Sequence, residues 1–218
     1  MYGKFIAAFL GCVASLAAFA QAQPPGGGRP GDTVTVTRGM NETVVMNLPA
    51  TWKLGHSAKQ DRRLLTEYVP SAETVTNWSE MVSLQIMLGL ANSGKASLSG
   101  MLEGASQVMK SVCKDVIFQS FGEGVLDGRP AAIALIGCAR APAAAPTGLR
   151  QGDSEIGLHV VFKGREDLYF ITKSRRGPGM DAASYPRQTL RPWQDFLSSI
   201  KLCDINQPPN DCASRPPR

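Results

Sequence analysis

The chain has 218 residues, with 23 Lys and Arg against 18 Asp and Glu, for a net charge of +5. That length and a hydrophobic share of 43% support one domain with a real core. The small, evenly spread basic excess excludes a dedicated nucleic-acid binder, which needs a dense basic stripe interleaved with stacking aromatics.

Residues 1–22 read as a secretory signal peptide. Lys4 supplies the positive n-region, residues 5–19 are apolar apart from Gly11, Cys12 and Ser15, and Ala20-Gln21-Ala22 fits the small-x-small cleavage rule. Cys12 is read as part of the apolar run. A lipid-anchored cysteine should follow that run, whereas the apolar stretch continues past Cys12 to Phe19. The expected destination is the periplasm or the medium. No later segment reaches the roughly 18 apolar residues of a membrane span, so a soluble chain is expected.

Residues 23–32 (QPPGGGRPGD) form a Pro/Gly linker. A single domain is expected over residues 33–203. Residues 33–38 and 42–48 read as strands across an Arg38-Gly39-Met40-Asn41 turn. Residues 49–55 place Trp52 on the core side of a strand entrance, and residues 62–69 form a further strand. Residues 80–88 are the clearest strand, with Val82, Leu84, Ile86 and Leu88 on one face. Residues 98–113 predict a helix whose buried face is Leu98, Met101, Leu102, Ala105, Val108, Met109 and Val112, capped by Ser97 or Ser99.

Residues 115–121 predict a strand ended by a Gly122-Glu123-Gly124 turn, and Asp127-Gly128 is a second turn signal. Residues 131–138 are apolar throughout, as a strand covered on both faces would be. Residues 155–163 and 168–174 predict a hairpin across residues 164–167. A last helix is expected over residues 190–202, with Leu190, Trp193, Phe196, Leu197 and Ile200 buried. Residues 204–218 form a Pro-rich tail, of which residues 207–218 are basic and expected to be disordered. Hairpins dominate, so an α+β domain follows, with a mainly antiparallel sheet packed between helices.

Removing the leader leaves Cys113, Cys138, Cys203 and Cys212. An even count in an exported chain reads as two disulfides. Four cysteines allow three pairings, and Cys113–Cys138 with Cys203–Cys212 is the favoured one. The first joins the end of the long helix to the end of the central strand, and the second closes a short loop. No C-x₂-C pair exists and neither His56 nor His159 lies near a cysteine in sequence, so no metal or cofactor is expected.

His56 and His159 are the two histidines and the only handles for a small secreted hydrolase. Neither has a nucleophile-elbow context, and His159 alternates with Leu158 and Val160 as a sheet-face residue would. The candidate binding residues are Trp78, an aromatic anchor or core plug, and Lys173, Arg175 and Arg176 on the basic hairpin with Lys163 and Arg165. Arg187 and Arg191 follow closely. Such a patch suits an acidic protein or an anionic envelope surface. Asn41-Glu42-Thr43 and Asn77-Trp78-Ser79 are N-glycosylation sequons, discounted because the Ala/Gly/Arg-rich style leans bacterial.

Several segments resemble uncharacterised exported proteins of proteobacteria: Pro49 to Trp52, Tyr68-Val69-Pro70, Asn77-Trp78-Ser79-Glu80-Met81, Gly137-Cys138, and residues 164–176 and 193–203. The element order is similar to the Mog1/PsbP-like α/β/α sandwich. That resemblance implies an antiparallel sheet between helices and a binding or assembly role without catalysis. The expected protein is therefore a monomeric, disulfide-stapled binding module of the bacterial envelope. The alternatives are the hydrolase and a structural envelope protein.

Overall fold

A computed structural model describes residues 32–94, 97–143, 148–182 and 193–213. The signal peptide, nearly all of the linker, Arg187, Arg191 and the start of the expected last helix lie outside them. The described elements, in chain order, are β1 (Asp32–Arg38), β2 (Glu42–Pro49), β3 (Trp52–Gln60), β4 (Arg63–Pro70), β5 (Glu80–Met87), α1 (Leu98–Val112), β6 (Val116–Leu126), β7 (Arg129–Cys138), β8 (Asp153–Lys163), β9 (Leu168–Pro178), α2 (Gln194–Ser199), β10 (Lys201–Asp204) and α3 (Pro209–Ala213).

Seven strands form one sheet in the order β3-β4-β5-β9-β8-β7-β6, every neighbour antiparallel. β1, β2 and β10 form a second, three-stranded antiparallel sheet. The period-2 pattern of β5 is fulfilled. Val82, Leu84 and Ile86 are fully buried in the main core with Leu158, Val160, Tyr169 and Ile171. Val44, Met46 and Leu48 of β2, and Trp193 and Phe196 at α2, complete that core from the other side. α1 covers the opposite face, setting Leu98 and Leu102 on Ala132, Ala134, Ile136 and Val161. Burying a leucine like Leu102 contributes about 2–3 kcal/mol. The protein is thus an α+β fold with a mainly antiparallel sheet and a helix on each face.

α1 starts where a cap was expected. Ser97 accepts a hydrogen bond from the Gly100 amide at 3.1 Å. Glu123 of β6 adds a second acceptor for the Ser99 amide and hydroxyl. The helix phase differs slightly from the apolar pattern, since Ser106 is buried and Val108 is 41% exposed.

Four local expectations are corrected. β6 does not turn at Gly122-Glu123-Gly124. Gly122, at φ +84°, absorbs a register shift after Ser120, so the strand bulges and continues. The reversal comes at Asp127-Gly128, where both residues have positive φ (48° and 78°), the geometry of a two-residue type I′ hairpin. β3 runs on to Gln60 although it is almost wholly exposed, because an edge strand needs no buried face. The last helix stops at Ser199. Residues 201–204 instead pair with the open edge of β2, a tertiary contact that overrides helical periodicity. Finally, part of the expected tail is the short helix α3, whose Cys212 is fully buried against Val34, Val45 and Cys203.

Both favoured disulfides are formed. Cys113–Cys138 ties the end of α1 to the end of β7, with Cα atoms 5.7 Å apart, and Cys203–Cys212 ties α3 to β10 at 6.0 Å.

Candidate functional site

α1 covers β6, β7 and part of β8, leaving the same face of β4, β5 and β9 to the segment 71–79. That segment is held in place locally. Glu73 accepts hydrogen bonds from the Ser79 amide and hydroxyl, both at 2.7 Å. Thr74 and Asn77 form a short bridge, and Val75 and Trp78 pack on Val69 and Met81. Between this segment and Met109 of α1 lies a cavity of about 290 Å³.

The cavity floor follows from strand register. Glu67, Ser83, Thr172 and His159 are consecutive cross-strand partners on β4, β5, β9 and β8, so they form one polar row. His56 of β3 extends the row beyond Glu67, outside the cavity. The next row holds Met81, Ser174 and Gly157. The third holds Arg176 and Glu155. Alternation places all of these on the same side of the sheet.

Arg176 is the pivot. Its Nε donates to Glu155 Oε2 at 3.0 Å, and its guanidinium carbon lies 3.7 Å from the Trp78 ring centroid. The two side chains form the wall between the first cavity and a second of about 300 Å³, lined also by Ser79, Leu149, Arg150 and Asp153. Trp78 is only 8% exposed, so it acts as a wall and core plug and not as a protruding anchor.

The other basic candidates lie elsewhere. Lys173 and Arg175 sit at odd positions of β9 and face away from Arg176. Lys173 Nζ stands 5.0 Å from the Phe196 ring centroid, and Arg175 is exposed. Arg165 pairs with Asp204 and donates its amide to Glu42. A stretch that is contiguous in sequence is therefore split across the sheet.

Electrostatics inside the cavity favour neutral groups. Burial pushes the His159 imidazole down to about 4, against a smaller upward pull from its hydrogen bond to the Ile136 backbone. Its Nδ1 lies 3.3 Å from Thr172 Oγ1, and its ring meets Phe170 edge-on. Burial raises the Glu67 carboxyl, with His56 pulling the other way. Burial also raises Glu155, and Arg176 partly offsets it. Among the described residues no group of three or more His, Cys, Asp or Glu is placed to hold a metal ion. No described helix is long and apolar enough to cross a membrane.

Sequence reasoning singled out Trp78, Arg176 and His159 but not their common site. It missed Glu67, Ser83, Glu155, Thr172 and Ser174. The available signal was a run of polar residues on the non-core faces of β5 and β9, which only strand register converts into a site.

Fold and cleft together define the class: an antiparallel α+β protein with a half-polar cleft floored by its sheet. In chain path it is similar to the Saccharomyces cerevisiae Ran-binding protein Mog1p, at 9% identity and a TM-score of 0.43, over 72% of this chain and 88% of that one. It is also similar to LpqN, involved in cell envelope biogenesis of Mycobacterium tuberculosis, at 11% identity and a TM-score of 0.36, over 79% of this chain and 91% of that one. No family model matches the sequence. No curated protein matches it either.

Proposed function

We propose that this chain is an exported, disulfide-stapled binding or assembly module of the bacterial envelope that acts without catalysis. In this reading residues 1–22 are a cleaved leader, residues 23–32 a linker, residues 33–203 one monomeric domain in the periplasm or the medium, and residues 204–218 its Pro-rich tail. The binding site is the cleft divided by Trp78 and Arg176. The observation that carries the reading is that wall. Arg176 is held between Trp78 and Glu155 so that two cavities open on either side of one fixed cation. Such pre-organisation lowers the ordering cost of binding.

Immobilised wild-type protein, exposed to envelope extract and eluted into mass spectrometry, should retain a component that Met109→Trp loses and Arg175→Glu keeps. Equal retention by both variants would remove the cleft from consideration. Loss with Arg175→Glu alone would move binding to the opposite face, where the acidic or anionic partner expected from the hairpin would dock.

One observation favours a hydrolase instead, the His159–Thr172 contact at 3.3 Å. A base held near 4 is poorly matched to proton abstraction at neutral pH, which favours binding. Turnover of p-nitrophenyl esters that disappears in His159→Gln would reverse that preference.

A further inference from the structure

The first cavity offers many hydrogen-bonding groups, and its one lining cation, Arg176, is already paired within the protein. Ser83, Thr172 and His159 stand side by side on three adjacent strands. A hydroxyl both donates and accepts, while the His159 imidazole, engaged by Thr172 and the Ile136 backbone, steadies that end of the row. Arg176 is paired with Glu155 at 3.0 Å, and Glu67 has His56 as its cross-strand neighbour. An anion brought into this half-buried space would lose hydration with Arg176 already engaged, and a cation would meet only Glu67, whose carboxyl burial drives toward its neutral form. The apolar lining is Val75 and Met109 above the sheet, and Met81 and Ile136 beside the row on its floor.

From this division of the cavity, we propose that it takes an uncharged amphiphile. The apolar body lies between Met109 and Val75, and a hydroxyl or amide end reaches the Ser83–Thr172–His159 row. The cavity volume of about 290 Å³ suits a small molecule and not a folded partner. The inference rests on the cleft being the binding site and adds the chemistry of what enters it.

Three probes of equal chain length separate the headgroups: octanol, octanoate and octylammonium, titrated calorimetrically into the whole disulfide-bonded protein at pH 7. Octanol should bind at least tenfold more tightly than either ion. Thr172→Val keeps the side-chain shape and removes the hydroxyl, and should weaken octanol about threefold to tenfold, with a modest fall in melting temperature from the lost His159 contact. Should that variant fail to fold, Ser83→Ala gives the same readout from the neighbouring strand. Met109→Trp should block all three probes.

Tighter binding of octanoate or octylammonium, with Met109→Trp still blocking it, would overturn the ligand class and leave the cleft as the binding site. Octanol binding that survives Met109→Trp would overturn the cleft itself. No octanol binding up to its solubility limit, or unchanged affinity in both hydroxyl variants, would overturn the proposal.

Discussion

The Arg176 guanidinium lies 3.7 Å from the centre of the Trp78 ring while its Nε donates to Glu155 at 3.0 Å, so one side chain couples the segment 71–79 to the sheet. The Arg176 side chain is 10% exposed and that of Glu155 17%, so solvent screens this contact weakly. Arg176→Met keeps much of the stem and strips the charge, leaving Glu155 a partly buried, unpaired carboxylate. The expected loss is about 3 kcal/mol in urea unfolding at pH 7. A double-mutant cycle with Trp78→Leu should give a coupling on the order of 1 kcal/mol. A coupling within error of zero would mean that the stacked geometry does no energetic work.

His159 sets an acid limit on the fold. Its pKa is about 4 in the folded chain against an ordinary 6.5, so the unfolded state takes up the proton first as pH falls. Stability from this group is complete above pH 6.5 and drains away between 6.5 and 4, by about 3 kcal/mol at most. Glu67 and Glu155 oppose the trend, because their raised pKa values make the folded state bind protons more readily than the unfolded one. Comparison with His159→Gln isolates the histidine. The stability difference between wild type and variant should shift by 2–3 kcal/mol from pH 7 to pH 4, and a pH-independent difference would rule the titration out.

The secondary structure was legible wherever one periodicity ruled. β5 alternates, α1 repeats at helical spacing and β7 is apolar from Ala131 onward, and each stands close to where those patterns put it. What stayed hidden depends on pairing between distant segments. Nothing in Lys201 to Asp204 announces a strand until the open edge of β2 is beside it. Nothing in Trp52 to Gln60 signals burial because there is almost none. The cleft is the extreme case. Glu67, Ser83, His159 and Thr172 span 105 positions between first and last in the chain and become neighbours only through register. The basic hairpin failed in the opposite sense, since neighbours in sequence point to opposite faces.

The disulfides close loops of different sizes. Cys113–Cys138 spans 25 positions and Cys203–Cys212 spans 9. Loop-closure entropy assigns them roughly 3–4 and 2–3 kcal/mol. Cys113→Ala with Cys138→Ala should therefore lower the melting temperature more than Cys203→Ala with Cys212→Ala. Intact mass after alkylation without reductant should show no modified thiol among the four, and a free thiol would break the two-bridge assignment.

Glu42 is a buried acid that joins the two sheets. It is 3% exposed, pairs with Arg129 of β7 at 2.7 Å, and accepts the Arg165 amide from the β8–β9 turn at 2.7 Å. Nearby, Asp167 is 1% exposed and accepts the Met40 and Gly89 amides. Burial and the charges of Glu42 and Asp167 hold the Tyr169 hydroxyl well above its usual range, so it stays protonated. Glu42→Ala orphans a cation and a buried amide together and should cost about 3–4 kcal/mol. Glu42→Gln, which can still accept from the Arg165 amide, should cost clearly less. Equal losses would assign the effect to packing.

Gly157 keeps the cleft floor open. It faces the same side of β8 as Glu155 and His159, and a Cβ built there would stand 2.5 Å from Ser174 Oγ, 3.0 Å from Thr172 Cγ2 and 3.1 Å from His159 Nε2. The nearest of these contacts is a short side chain that can rotate, and the other two are held in the polar row. Gly157→Ala should therefore displace the Ser174 hydroxyl and crowd the Thr172–His159 contact, at a cost of about 1–3 kcal/mol. Ser174→Ala removes the closest atom, so the double variant should recover much of that loss, and the two substitutions should be strongly non-additive. Full additivity would show that the neighbours, and not the Ser174 hydroxyl, set the tolerance of this floor.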